Sequence, residues 1–120
     1  MSRRLIAVAA IGAAAAAATA ADALAGSTPS RNVRVGDNFF SPTRLTVDRG
    51  TRLVFRWQED NSNLHDVVLD DGPSGVEFEP SRQRRTDYTY RRTLRRAGTY
   101  KFICSLHATQ MRLTVRVRRG

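Results

Sequence analysis

The chain has 120 residues and a formal net charge of +9, with 26% of its residues charged and a single cysteine. That length gives one domain and leaves no room for a second lobe. The charge favours acidic partners and anionic surfaces, and a lone cysteine rules out a scaffold held by internal disulfides.

The first 25 residues read as an export signal. Arg3 and Arg4 are followed by an alanine-rich apolar run from Leu5 to Ala18, and then by the small-residue patterns Ala18-Thr19-Ala20 and Ala23-Leu24-Ala25. A charged start, an apolar run and an A-x-A site form a secretory signal peptide. The run is too short and too alanine-rich for a membrane span, which needs about 20 strongly apolar residues. Ser2-Arg3-Arg4-Leu5-Ile6 partly fits a twin-arginine signal. The expected division is a signal peptide over 1–25 and a mature domain over 26–120, placed in the periplasm or outside the cell. Loss of Arg3, Arg4 and Asp22 with the signal leaves the mature part at +8. Nucleic acid is the usual partner of so basic a chain, but export argues against it and no nucleic-acid-binding module is present.

The mature segment reads as short strands separated by turns. Val33 and Val35 share a face, and Asp37-Asn38 turns the chain into Phe39-Phe40-Ser41-Pro42. Leu45 and Val47 precede a turn at Asp48-Arg49-Gly50. Thr51 to Trp57 alternates, with Leu53, Phe55 and Trp57 on one side. A polar loop over 59–63 leads to a strand expected from His65 to Leu69, and Asp70-Asp71-Gly72-Pro73-Ser74-Gly75 has loop composition. Tyr88 to Leu94 and Thr99 to Cys104 read as two further strands. The last runs from Arg112 to Val117, with Leu113, Val115 and Val117 inward. Short alternating strands with turn signals between them predict an all-β sandwich or barrel. Seven arginines lie between Arg82 and Arg96. They read first as a solvated edge strand, where charge discourages sheet-to-sheet association, and second as a docking patch.

One loop carries the chemistry. Cys104-Ser105-Leu106-His107-Ala108-Thr109-Gln110-Met111 lies between two strands and offers a thiol, an imidazole and a thioether. His65 follows a loop that can lie at the same end. The chain has two histidines, one cysteine and, beyond the initiator, one methionine, and all four fall in this constellation. Separately, each has an ordinary role: a surface histidine, an inert buried cysteine, a methionine filling the core. Together they make a His₂Cys set with a weak axial Met, the donor set of a blue-copper electron-transfer site. Zinc takes Cys and His but prefers four firm ligands. Met111 is a poor fourth, and strand alternation points Asp66 away from its neighbour His65.

These segments resemble the cupredoxins, particularly the small plastocyanin- and azurin-like copper proteins. Phe39-Ser41-Pro42 with Leu45 and Val47, the Val54-Phe55-Arg56-Trp57 strand, His65-Asp66-Val67-Val68, Ala97-Gly98-Thr99-Tyr100 leading to Cys104-Ser105-Leu106-His107, and Met111-Arg112-Leu113-Thr114-Val115 carry the likeness. It implies a Greek-key β-sandwich, a single type 1 copper and one-electron transfer. His65, Cys104 and His107 would be the equatorial ligands and Met111 the axial one. Three positions depart from the pattern. Asp66 stands where asparagine often braces the copper loop, Leu106 where proline often precedes the second histidine, and Leu113 where glycine often follows the methionine. The resemblance implies a monomer that meets redox partner proteins, acidic ones given the charge, with no membrane span in the mature chain. A copper carrier or buffer would use the same ligands. A metal-free adhesion sandwich would not retain them. A copper enzyme would need a second histidine-rich site, and both histidines are already committed.

Overall fold

The computed structural model describes residues 28–120, so the signal-peptide reading over 1–25 lies outside the described residues. Eight strands form two four-stranded sheets: β1 (Ser30–Gly36), β2 (Phe39–Ser41), β3 (Arg44–Asp48), β4 (Arg52–Trp57), β5 (Val68–Asp71), β6 (Thr89–Thr93), β7 (Gly98–Ile103) and β8 (Arg112–Arg118). The first sheet has the order β2-β1-β4-β6 and the second β3-β8-β7-β5. β1 pairs with β4, and β3 with β8, in parallel. The other pairs are antiparallel. Among the described residues the helical structure is one 3-10 turn, Ser105–His107, and no helix is long and apolar enough to cross a membrane.

Period-two alternation sets the core. β8 buries Leu113, Val115 and Val117 and turns Arg112, Arg116 and Arg118 outward. β3 buries Leu45 and Val47, and β7 buries Tyr100 and Phe102. Phe55 of β4 lies at the centre, with ring centroids 6.1 Å from Phe40, 5.8 Å from Tyr90 and 5.3 Å from Phe102. Truncating a phenylalanine so enclosed to alanine costs roughly 3–5 kcal/mol. Two glycines serve the turns. Gly50 (φ +94°) closes the β3–β4 turn, and Gly98 (φ +136°) opens β7 in a backbone region that L side chains rarely adopt.

The structure corrects two strand readings. His65 stands outside any strand and makes an isolated bridge to Arg84. β5 begins three residues later and runs through Asp70 and Asp71, which have loop composition. The cause is a set of partners distant in sequence. The Trp57 indole N–H donates to the carbonyls of both His65 (3.2 Å) and Arg84 (2.9 Å), and the Val67 amide donates to Ser81 Oγ. That pinning holds 65–67 away from the β7 ladder, which starts only at Val68↔Ile103.

Candidate metal centre

Strand direction brings the candidate ligands to one end of the sandwich. β4 runs toward that end and hands over to the 58–64 loop. β7 runs the same way and delivers Cys104, and β8 leaves from it after Met111. The loop is anchored from within. Buried Asn61 donates through its side-chain amide to the carbonyls of Val35 (2.9 Å) and Arg85 (3.1 Å).

His65 is fully buried. Its backbone is held by reciprocal hydrogen bonds with Arg84, at 2.9 and 3.0 Å. Its Nε2 lies 3.0 Å from Asp37 Oδ1, while its Nδ1 is buried without any hydrogen-bond partner. Asp37, in the β1–β2 turn, also accepts the amides of Ser62 (2.8 Å) and Asn63 (3.0 Å). The Ser62 amide first, then the imidazole and the Asn63 amide, hold its carboxyl at about 2, below the ordinary 3.8. A composition-based reading saw in Asp37 only a turn residue, because nothing local signals a partner 28 positions away.

The Cys104–Met111 loop is closed by its own backbone. The Cys104 amide donates to Met111 O (3.2 Å), the His107 amide to Cys104 O (3.1 Å), and the Met111 amide to His107 O (2.9 Å). Cys104 and Met111 are fully buried, whereas His107 is half-buried. Asp66 braces the loop from outside: one carboxylate oxygen accepts the Ser105 amide (2.7 Å) and the other accepts the Ser105 hydroxyl. A carboxylate thus does here what the related asparagine often does. Burial pushes the Cys104 thiol above its ordinary value, so a cation that takes the thiolate must displace a proton.

His65, Cys104 and His107 bring their ligand atoms within 4.8 Å of one another. Cys104 Sγ lies 3.6 Å from His107 Nδ1, and the two imidazole centroids are 5.2 Å apart. Bonds of about 2.0 Å to imidazole and about 2.3 Å to thiolate, 120° apart, separate the donor atoms by about 3.7 Å. The cluster therefore fits a first-row metal ion, and the unpartnered Nδ1 of His65 is the buried polar atom such an ion would satisfy.

The family model described as the Cupredoxin-like domain matches residues 5–115. The chain belongs to the cupredoxin-like family. Among curated relatives of this cupredoxin, plastocyanin A/B of Petroselinum crispum is 36% identical over 80 residues, covering 61% of this chain and 79% of its own. Plastocyanin of Sambucus nigra is 35% identical over 81 residues, with coverages of 60% and 79%. Among solved structures, a reduced single-site variant of amicyanin superposes with a TM-score of 0.64 at 23% identity, over 77% of this chain and 85% of that one. The copper-containing nitrite reductase of Thermus scotoductus SA-01 superposes with a TM-score of 0.65 at 28% identity. The cupredoxin covers 77% of itself in that match but only 23% of the nitrite reductase.

Proposed function

We propose that His65, Cys104, His107 and Met111 of this cupredoxin would hold one copper, and that it works as a single-electron carrier outside the cytoplasm. The observation that carries the assignment is the cluster of three donors, His65 and Cys104 fully buried and His107 half-buried, together with the unpartnered buried Nδ1 of His65. Copper, when bound, supplies a one-electron couple whose two states accept thiolate, thioether and imidazole alike. The protein's part is to hold those donors still. Trp57, Arg84 and Asp37 fix His65, Asp66 fixes the loop through Ser105, and the loop's own backbone bonds join Cys104, His107 and Met111. A site that does not rearrange between redox states costs little reorganisation when the electron moves.

His107 is the exit. It is the more accessible histidine, and Leu106 beside it and Leu64 beside His65 are exposed by 47% and 44%. Electron-transfer encounters are small and weak, below about 1,200 Å² of buried surface, and an apolar contact edged by charge suits them. Arg84 bridges His65, Arg85 adjoins it, and Arg112 follows Met111, where it also lies 4.0 Å from Asp70. Arg85 donates to Ser62 O and Arg112 to Ala108 O, both at 3.0 Å. The partner therefore presents acidic groups. The mature chain is 26–120, a monomer delivered to the periplasm or the exterior by the signal at 1–25.

A carrier that delivers copper to another protein would use the same ligands. The closed loop and the buried thiol favour retention over release. With both histidines of the chain in one site, no second copper centre of the kind an oxidase needs can be built, and the nitrite reductase's activity is not carried over from a quarter of its length. Titration of the purified protein with Cu(II) should give an intense visible band at one equivalent, which survives repeated reduction and reoxidation without loss of metal. Cys104→Ser should abolish the band, since it arises from thiolate-to-copper charge transfer. A serine variant that stays blue refutes the site. Loss of copper on reduction would favour the delivery role.

A further inference from the structure

We propose that Asp37 is the positioning residue of the copper site: its carboxylate sets the tautomer and ring orientation of His65 and holds the reduction potential down. The inference rests on His65 being a ligand and adds what prepares it to be one. A carboxylate only accepts hydrogen bonds, so the contact at 3.0 Å places the imidazole proton on Nε2. Nδ1 then keeps its lone pair: it is buried and unpartnered, on a ring whose ligand atom lies within 4.8 Å of those of Cys104 and His107. With the proton on Nδ1 instead, a lone pair would face the carboxylate and a buried N–H would have no acceptor, both unfavourable.

Asp37 is itself held by three hydrogen bonds. Oδ1 accepts the Asn63 amide as well as the imidazole, and Oδ2 accepts the Ser62 amide. The turn that carries it is set by Asn38 at φ 66°. One side chain therefore ties the β1–β2 turn, the 58–64 loop and the ligand ring into one unit. The charge acts as well as the geometry. A carboxylate hydrogen-bonded to a ligand imidazole raises its basicity, and one imidazole away from the metal it favours the more highly charged ion, Cu(II) over Cu(I).

Nitrogen NMR of the copper-free protein tests the first half. In the parent, His65 should carry its proton on Nε2 alone, and in Asp37→Ala the two tautomers should mix. Metal titration and voltammetry test the second half. Asp37→Ala should bind Cu(II) 10–100-fold more weakly, and each tenfold loss confined to Cu(II) raises a one-electron potential by about 59 mV. Asp37→Asn keeps an acceptor oxygen but not the charge, so it should retain the Nε2–H tautomer while the potential still rises. A merely structural residue would leave tautomer and potential unmoved in the folded variants. A parent found protonated on Nδ1, or an unchanged potential in Asp37→Asn, overturns the proposal. If Asp37→Ala does not fold, the parent tautomer and the Asp37→Asn potential decide alone. A parent that takes up no copper refutes the ligand assignment and is seen in the titration, whereas the tautomer is read without metal.

Discussion

Met111 differs from the other three donors in what it contributes. Its thioether is neutral and weak, so in the proposed site it would tune the copper more than retain it. Leucine nearly conserves its volume, and such a swap in a packed core costs less than about 1.5 kcal/mol. Met111→Leu should therefore fold, keep its copper and show a higher reduction potential by voltammetry. A variant that loses all copper would contradict the axial role. At this scale the sequence was legible wherever chemistry and scarcity coincide: two histidines, one cysteine and one internal methionine leave few ways to build a site. It was not legible for Asp37 and Asp66. Both are carboxylates in loops or at loop ends, and their roles depend on Ser62, Asn63 and Ser105, which only folding brings near.

β6 and β7 each fasten a neighbouring loop through a phenol. Tyr90 donates to Glu79 O at 2.6 Å, and Tyr100 to Arg96 O at 2.8 Å. Burial raises both phenols above their ordinary value of 10.0. Between that value and the raised one, the folded state keeps protons that the unfolded chain has released. The stabilising linkage is complete below pH 10 and is lost as pH rises beyond it. Denaturant unfolding of the copper-free protein should therefore show stability falling above about pH 10, and the double variant Tyr90→Phe/Tyr100→Phe should fall less steeply. Equal slopes in the two proteins would remove the tyrosines from the account. Strand periodicity was readable for β3, β7 and β8, where one face is buried and the other wet, and for β4, whose outer face also buries Val54 between exposed Arg52 and Arg56. It failed at His65 and at Asp70-Asp71. There the pattern reports side-chain polarity, while position is decided by Trp57 on one side and the β7 ladder on the other.

Across the whole molecule the arginines do not form one patch. β6 is an edge strand of its sheet, so exposed Arg91 fits the solvated-edge reading. Arg92 lies over the Tyr90 ring at 4.4 Å and donates to Glu79 O. β6 runs away from the metal centre, so Arg84 and Arg85 stand near His65 while Arg95 and Arg96 lie at the opposite end. Five strand residues span about 17 Å at about 3.4 Å each, roughly twice the screening length of about 8 Å at physiological salt. If an acidic partner is steered toward His107, the expected contributors are Arg84, Arg85 and Arg112 rather than Arg95 and Arg96, which narrows the role expected of the 82–96 run. Reduced protein mixed with ferricyanide, a multiply charged anion, should transfer its electron more slowly as ionic strength rises. Gln at positions 84, 85 and 112 should flatten that dependence, and Gln at 95 and 96 should barely change it. A parent with no salt dependence in stopped flow would leave the arginines as solvating groups alone.

The strand order β3-β8-β7-β5 places β8 inside its sheet, with β3 on one flank and β7 on the other. Arg44 pairs with Thr114, 70 positions later. During synthesis at roughly 5–20 residues per second, β3 waits about 4–14 s for its partner. β7, once made, has only β5 beside it until residues 112–118 follow, and the thiol that comes after it stays uncovered until then. The second sheet of the sandwich therefore remains incomplete until residues 112–118 have appeared. Burial of the cysteine and completion of the sheet then happen together, once β8 is in place between β3 and β7.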